Sequence, residues 1–262
     1  MTLFYARLIR SVERPTFGRD ANTLLAAGNC VTYLLVRFHS TTETRVATAF
    51  FIHRKHLLTA GHNLYNRNDN VQSVELIEPG RSYLDSTKLA QGKYYGIICE
   101  VVCNIYNENG SYEADIALLH TGSFSWPNSL ELSTVSPPNG STVDVIGYPA
   151  ELNSAWMRTQ GNLQDIEESL AIVEKLLPKQ TPSISRGTVV NTGAMISYNL
   201  STVPGMSGAC VVYEGKVIGI FPFGIPWLAK ESISGNAGSR IASRLPYLSR
   251  ACTLNYSLSV GE

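Results

Sequence analysis

Apolar and β-branched residues occur along most of this chain in short runs that are separated by polar turns. In the first half such runs occupy 31–38, 46–52, 96–103 and 116–120. Clusters of Asn, Asp, Gly and Ser at 66–70 and 107–111 lie between them. Short apolar runs bounded by turn residues predict β-strands. Because the strands follow one another without long helices between them, the pattern favours an all-β sandwich or barrel.

A second series of predicted strands follows a stretch rich in Ser, Pro and Asn. These strands occupy 142–149, 188–190, 194–198, 209–213 and 216–221, with a hairpin turn predicted at Glu214-Gly215. The stretch 123–140 contains three prolines and has the composition of an interdomain linker. The expected organisation is therefore an N-terminal segment 1–27, a first β unit 28–122, a linker 123–140, and a second β unit 141–262 that includes a C-terminal segment.

One segment departs from the β pattern. Residues 163–177 place leucines, isoleucines and a valine at helical spacing with acidic residues between them, and Pro178 follows. This pattern predicts an amphipathic helix inserted into the second β unit. Two interpretations remain open, a helix that simply packs on the barrel surface and a helix that restricts access or binds a regulatory partner.

Composition limits the classes of function. The chain of 262 residues has 44% hydrophobic and 16% charged residues, and its 21 basic and 21 acidic residues balance. Without clustered positive charge we expect no nucleic-acid partner and no membrane surface. The odd number of five cysteines, without a Cys-x-x-Cys pair, predicts free thiols rather than a zinc site or a disulfide framework. With no basic-then-apolar leader at the N-terminus, a cytoplasmic location is expected, or secretion if a leader has been removed.

Three short motifs contain residues suited to nucleophilic catalysis. Ser207 lies in Pro-Gly-Met-Ser-Gly-Ala, His62 ends Leu-Leu-Thr-Ala-Gly-His, and Asp115 precedes Ile-Ala-Leu-Leu. A hydroxyl at neutral pH needs a base within hydrogen-bond reach, and that base needs a third group to hold its orientation. We expect Ser207, His62 and Asp115 to be catalytic. The backbone N–H groups of Gly205 and Ser207 are expected to form an oxyanion hole.

Other residues of the same types have weaker support. His53 and His56 flank a turn that contains Arg and Lys and is expected to be solvated, so we expect surface or structural roles for both. His39 and His120 stand outside any motif, with the same expectation. Asp144, in the middle of a predicted strand, is expected to face solvent or a local backbone donor.

With these motifs in this order, the chain resembles the chymotrypsin-like (trypsin-like) serine peptidases. The likeness is greater to the bacterial glutamyl endopeptidase branch, through Val-Ile-Gly-Tyr-Pro at 145–149, Tyr-Asn-Leu-Ser-Thr at 198–202 and Val-Ile-Gly-Ile at 217–220. It extends over about residues 28–248 and is poor at 63–110 and 155–185. The resemblance implies two packed six-stranded antiparallel β-barrels, with the helical insertion in the second. It also implies that no metal or cofactor is needed.

Two positions depart from the animal trypsins. These enzymes carry a cysteine after the catalytic histidine and an aspartate before the serine, whereas this chain has Asn63 and Met206. Without that aspartate, the salt bridge to a new N-terminus that activates trypsin precursors has no acceptor. We therefore expect that this chain needs no activating cleavage of that kind.

The residues expected to bind substrate also depart from the glutamyl branch. In that branch a histidine, assisted by Thr or Ser, binds the acidic side chain before the scissile bond. Thr202 matches the assisting position, but the histidine position is Phe221, which cannot bind a carboxylate. We expect Thr202, Phe221, Phe223 and Gly224 to accept an apolar or small side chain. Arg240 would restore an acidic preference only if it reached the pocket.

The sequence therefore predicts a serine endopeptidase that hydrolyses protein or peptide substrates through an acyl-enzyme. The alternative is a catalytically silent trypsin-like binding module. An esterase of the α/β-hydrolase class fits less well, because its Gly-x-Ser-x-Gly motif would need glycine where this chain has Ala209, and because its triad order differs.

Overall fold

The structure is a computed structural model, and it describes residues 26–41, 44–67, 69–77, 79, 96–106, 115–150, 167, 170–171, 182–192, 195–200, 202–223 and 236–240. Within these residues thirteen β-strands and one 3₁₀ turn, Gly61–Leu64, form two antiparallel units. The first unit contains β1 (Val31–Phe38), β2 (Thr44–His53), β3 (His56–Thr59), β4 (Val71–Leu76), β5 (Ile97–Ile98), β6 (Glu100–Asn104) and β7 (Ala117–His120). The second contains β8 (Thr142–Gly147), β9 (Ser183–Thr192), β10 (Met195–Asn199), β11 (Cys210–Tyr213), β12 (Lys216–Phe223) and β13 (Asn236–Arg240).

The first unit is a curled sheet whose two edge strands, β5 and β6, follow each other directly in the sequence. Its described strands follow the order β5-β4-β1-β2-β3-β7-β6. β5 and β6 are separated by Cys99 alone, and β5 pairs with β4 while β6 pairs with β7. The sequence predicted a single strand over 96–103. Counted as that one strand, β5 and β6 complete the expected six-stranded barrel.

The second unit is a closed six-stranded barrel in the described residues, with the strand order β10-β13-β12-β11-β8-β9. β11 and β12 pair across the predicted Glu214-Gly215 turn. β13, which the sequence pattern did not predict, closes the barrel because it pairs with β10 on one side and β12 on the other. The prediction of a nearly all-β protein with two antiparallel barrels is confirmed.

Side chains of both barrels bury one another along a shared core. Members from the first barrel include Tyr33 and Phe50, and members from the second include Tyr148 and Ile220. The Tyr33 and Tyr148 rings meet edge to face with centroids 5.8 Å apart. The Tyr148 hydroxyl also donates to the Val31 carbonyl at 3.4 Å. This packing fixes the two barrels against each other, so that loops from both can build one site.

The stretch between the barrels makes backbone hydrogen bonds to both. The Leu130 N–H donates to Phe51 O of the first barrel, and the Ser133 N–H donates to Val217 O of the second, each at 2.8 Å. This path agrees with a connecting role for the predicted linker 123–140. The domain boundaries themselves stay a prediction.

Most of the predicted helix 163–177 lies outside the described residues. Glu167, Leu170 and Ala171 are helical, and Leu170 packs against the core of the second barrel. None of the described helices is long and apolar enough to cross a membrane.

The four cysteines in the described part of the chain are free thiols. Cys30, Cys99 and Cys210 are buried and Cys103 is half-buried. Burial raises the pKa of Cys30 to about 11 and that of Cys99 to about 12. These thiols therefore stay protonated near neutral pH and pack as small apolar groups.

The expectation that His56 lies in a solvated turn is wrong. His56 begins β3 and is 2% exposed, and the pairing of β3 with β2 and β7 places it opposite His53 and His120. The ring centroid of His56 lies 5.0 Å from that of His120 and 5.6 Å from that of His53. Burial, with added repulsion from His120, His53 and Lys55, lowers the pKa of His56 to about 4. Glu100, whose side chain is 80% exposed, is the acidic group near this cluster, 3.9 Å from His120 Nδ1.

We expect stability to fall as pH is lowered from 6.5 to 4. His56 takes up a proton near its ordinary pKa of 6.5 in the unfolded chain, whereas in the folded chain it takes up a proton only near its lowered pKa of about 4. The resulting loss in free energy of unfolding is about 2–3 kcal/mol. Urea denaturation at pH 7.5 and pH 4.5 measures it, and His56→Gln should reduce the difference while His39→Gln, at an exposed position, should not. An equal pH dependence in wild type and His56→Gln would contradict this account.

Candidate active site

The register of two strands brings His62 and Asp115 together. Thr59 at the end of β3 pairs with Ala117 at the start of β7, so the residues just beyond them face each other. His62 Nδ1 lies 2.7 Å from Asp115 Oδ2, and the His62 backbone N–H donates to Asp115 Oδ1 at 2.7 Å. The Asp115 side chain is fully buried, whereas that of His62 is 25% exposed. Because an ionised carboxylate only accepts, the proton on the ring belongs on Nδ1 and Nε2 is left as an acceptor.

Further polar contacts hold the turn that carries His62. The Arg45 guanidinium donates to the carbonyl oxygens of His62 and Tyr65, each at 2.8 Å. The Asn104 side-chain amide donates to Gly61 O at 3.0 Å. Sequence reasoning missed Arg45 and Asn104, since neither belongs to a recognisable motif. Their bonds fix the backbone on both sides of the imidazole.

The loop around Ser207 needs glycine on each side. Gly205 has a φ of +88° and Gly208 a φ of +92°, in the left-handed region that other residues avoid. A Cβ at Gly205 would lie 2.3 Å from Ala150 N, and one at Gly208 would lie 2.0 Å from Thr48 O. Met206 is fully buried while Ser207 is only partly buried. The loop therefore anchors Met206 inside the second barrel and leaves Ser207 at the surface of the site.

The backbone of Ser207 is bonded to the first barrel beside His62. Ser207 O accepts from the Thr48 N–H at 2.8 Å and from Asn63 Nδ2 at 3.1 Å, and Asn63 directly follows His62. Among the hydrogen bonds of the described residues, none joins the Ser207 hydroxyl to the His62 imidazole. The structure thus joins His62 directly to Asp115, and it brings in Ser207 through its main chain.

The two backbone groups predicted to bind an oxyanion have no partner within the described part of the chain. Neighbouring N–H groups are bonded, since that of Met206 donates to Val203 O at 3.2 Å and that of Gly208 to Phe221 O at 2.7 Å. No described hydrogen bond has the N–H of Gly205 or of Ser207 as its donor. Both donors are therefore available to an acceptor on a bound molecule.

The residues predicted to contact substrate are only partly described. Thr202 is half-buried, and Phe221 of β12 is 1% exposed with its ring 6.5 Å from the Tyr198 ring. Phe223 ends β12, whereas Gly224 lies outside the described residues. The backbone of Arg240 ends β13 opposite Gly219. Phe221 thus belongs to the second-barrel core, near the end of β12, where its backbone is hydrogen-bonded to Gly208 and Ala209, directly after Ser207.

Tyr198 beside Phe221 carries a buried hydroxyl that has no hydrogen-bond partner among the residues that the structure describes. Burial raises the pKa of this phenol well above its usual range, so it stays neutral. Because an unpaired buried polar group costs free energy, Tyr198→Phe should raise the free energy of unfolding by about 1 kcal/mol. Urea denaturation measures the change, with Tyr148→Phe as the matched control, since that hydroxyl has an acceptor and its loss should not stabilise. A lowered stability in Tyr198→Phe would show that its hydroxyl is satisfied.

Asp144, the alternative carboxylate, has a structural partner. It lies opposite Arg186 in the pairing of β8 with β9 and accepts from this guanidinium at 2.8 and 3.1 Å. The expectation that it faces solvent or a backbone donor is wrong, because it is buried in an ion pair.

No group of three His, Cys, Asp or Glu side chains in the described residues is placed to hold a metal ion.

Solved structures share this fold. The active form of the Rv3671c protease from M. tuberculosis has a TM-score of 0.61 at 13% identity, over 92% of this chain and 88% of that one. A Glu endopeptidase has a TM-score of 0.56 at 20% identity, over 88% and 94% of the two chains. A serine endoprotease from Yersinia pestis has a TM-score of 0.58 at 13% identity, over 91% and 68%. At these identities the likeness shows the fold alone.

The family is shown by the sequence itself. No curated protein matches the chain. The trypsin-like peptidase domain family matches residues 47–220 of the 262, a range that contains His62, Asp115 and Ser207. With its double barrel and this match, the chain belongs to the trypsin-like peptidase domain family and has the chymotrypsin-like fold.

Proposed function

We propose that this protein is a serine endopeptidase in which Ser207, His62 and Asp115 form the catalytic triad. The observation that supports this most directly is the buried Asp115 carboxylate bonded to His62 Nδ1, beside a loop that presents Ser207. Membership of the trypsin-like peptidase family supports the hydrolase class. The catalytic roles of these three residues are the part of the proposal that experiment must test.

The geometry suits acyl transfer. Ser207 Oγ attacks the peptide carbonyl carbon, and His62 Nε2 takes the hydroxyl proton as the bond forms. Asp115 keeps the ring oriented and stabilises the imidazolium. The N–H groups of Gly205 and Ser207 donate to the oxyanion. His62 then gives the proton to the leaving amine, and a water activated by the same imidazole hydrolyses the acyl-enzyme.

A catalytically silent binding module is the second candidate. It is favoured by one observation, the missing hydrogen bond between the Ser207 hydroxyl and His62 in the described residues. Catalytic hydrogen bonds are often long before substrate binds, so this geometry is compatible with both candidates. Reaction with a fluorophosphonate separates them, because only an activated serine forms the covalent adduct.

We propose protein or peptide substrates, because structures that share this fold are proteases. The test is a peptide library incubated with wild-type protein and read by mass spectrometry, with fluorophosphonate-treated protein as the control. Internal cleavage that the inhibitor abolishes is the expected result. Intact peptides, or cleavage that survives the inhibitor, would contradict the proposal.

We expect poor cleavage after glutamate. Phe221 stands where the glutamyl branch has its acid-binding histidine, and burying an unpaired carboxylate beside this ring is costly. Otherwise identical peptides with Leu or Ala before the scissile bond should exceed the glutamate peptide in kcat/KM by at least about tenfold. Steady-state kinetics on the three peptides measures this ratio. A preference for glutamate would indicate that another cation, such as Arg240, reaches the substrate side chain.

A regulatory partner at 163–177 and a cytoplasmic location stay predictions. The described residues of that segment show only that Leu170 packs on the second barrel, which fits a docked helix as well as a partner site.

A further inference from the structure

Three buried polar side chains connect the first barrel to the Ser207 loop. They are Thr48 in β2, Thr59 in β3 and Asn63 in the 3₁₀ turn, which are exposed by 0%, 0% and 1%. We call these residues the interbarrel latch. The mechanism proposed above uses none of them. Since buried polar groups are costly unless they are bonded, their partners indicate what they do.

Thr48 bonds the Ser207 loop at two points. Its N–H donates to Ser207 O at 2.8 Å, and its hydroxyl donates to Gly205 O at 2.9 Å. The same hydroxyl accepts from the Tyr148 N–H at 2.9 Å. These two carbonyls belong to the peptide planes on either side of Met206 and Ser207. A single residue of the first barrel thereby fixes the orientation of both planes.

The other two latch residues, Thr59 and Asn63, complete a closed ring of hydrogen bonds beside His62. The Thr59 hydroxyl donates to Thr48 O at 2.7 Å. The Asn63 amide donates to Thr59 Oγ1 at 3.0 Å and to Ser207 O at 3.1 Å. Gly208 packs closely against this ring of hydrogen bonds, since a Cβ there would lie 2.0 Å from Thr48 O and 2.4 Å from Thr59 Oγ1. Asn63 also directly follows the proposed catalytic base in the chain.

We infer that Thr48 and Asn63 are positioning residues that hold the Gly205–Ser207 loop in register with His62. The inference rests on the proposed function. His62 comes from one barrel and Ser207 from the other, and no described side-chain hydrogen bond joins the two. The latch binds the Gly205 and Ser207 carbonyls and is joined along the chain to His62 through Asn63. It therefore sets the separation of His62 and Ser207 and fixes the peptide planes next to those that carry the Gly205 and Ser207 N–H groups. A displacement of about 1 Å can cost about 100-fold in rate, which makes such a link effective.

The test measures the second-order rate of Ser207 labelling by a fluorophosphonate, per folded molecule. Thr48→Val keeps the size of the side chain and removes the hydroxyl, and Thr48→Ser restores the hydroxyl. Thr32→Val is the matched control, because Thr32 is also fully buried in the first barrel and its hydroxyl donates to a backbone carbonyl, that of Ile77, away from the Ser207 loop. Urea denaturation of each variant reports the loss of stability separately.

We expect Thr48→Val to label about 10- to 100-fold more slowly than wild type, which is at or below the cost of losing one oxyanion donor. Thr48→Ser should label within about threefold of wild type, and Thr32→Val should label at the wild-type rate although its stability falls. With a peptide substrate, kcat should fall in Thr48→Val while KM changes little. The Asn63→Ala variant should also be labelled more slowly than wild type. If Thr48→Val does not fold, the labelling rate of Asn63→Ala tests the positioning role.

The outcomes separate two failures. A folded wild-type protein that takes no label contradicts the proposed function. If wild type is labelled and Thr48→Val and Asn63→Ala are labelled at the wild-type rate, the triad stands and the positioning role is overturned. Slow labelling in Thr48→Ser, or an equal slowing in Thr32→Val, would likewise overturn it, because the effect would then not follow the hydroxyl that bonds the loop.

Discussion

Replacing Ser207 by alanine should lower kcat/KM for peptide hydrolysis by about 10⁵- to 10⁶-fold and leave the fold intact. The rate falls because the nucleophile is lost. The fold is retained because the hydrogen bonds that the structure gives to Ser207 involve its carbonyl oxygen, which accepts from Thr48 and Asn63. Alanine keeps that carbonyl. We therefore expect a change in the free energy of unfolding within about 0.5 kcal/mol, the range of ordinary surface substitutions.

Steady-state hydrolysis of a library-selected peptide, together with urea denaturation, measures both quantities. Ser125→Ala is the matched control, since Ser125 is exposed in the connection between the barrels. It should match wild type in both rate and stability. Activity in Ser207→Ala equal to that in wild type would remove Ser207 from the mechanism.

The second large effect is expected from Asp115→Asn, which should lower kcat/KM by about 10⁴-fold. Asp115 accepts two hydrogen bonds, one from the His62 backbone N–H and one from the ring Nδ1–H, each at 2.7 Å. Asparagine has a single oxygen, so it can accept only one of these bonds in this geometry. With the oxygen facing the backbone N–H, its NH₂ group faces Nδ1 and favours the ring tautomer that carries the proton on Nε2. That tautomer cannot take the proton from Ser207.

Asp144→Asn is the matched control for this prediction. Asp144 is also buried, but its carboxylate pairs with Arg186 across β8 and β9 of the second barrel and not with His62. Its replacement should reduce stability and leave kcat/KM of the folded protein unchanged. Comparable loss of activity in both variants would show that Asp115 acts through stability and not through His62.

The strands that the sequence predicted share a recognisable pattern, and those that it missed lack one. β1 was predicted at its observed bounds, Val31–Phe38, because β-branched, aromatic and aliphatic residues fill it except at Arg37. β13, with the sequence Asn-Ala-Gly-Ser-Arg, has no such run and exists because β10 and β12 pair with it. The break at Cys99 was equally invisible, since it arises where one stretch of chain pairs with both edges of the first sheet.

The candidate site was predictable in its residue types and less so in its connections. Chain order and local motifs indicated His62, Asp115 and Ser207, and the structure places the first two in direct contact. The latch was not predicted, because Thr48 is one polar residue in a mostly apolar strand and the partners of its hydroxyl, Tyr148 and Gly205, lie 100 and 157 positions away along the chain. His56 was misjudged for a related reason. Its charged neighbours suggested exposure, whereas strand pairing buries the ring.

The central claim is that Ser207 is a nucleophile activated by His62. Its most direct test is mass spectrometry of the folded wild-type protein after reaction with a fluorophosphonate, with peptide mapping of the adduct. The account predicts one adduct per chain, located on Ser207 and absent from His62→Ala. No adduct on the folded wild-type protein, or an adduct on another residue, would contradict it.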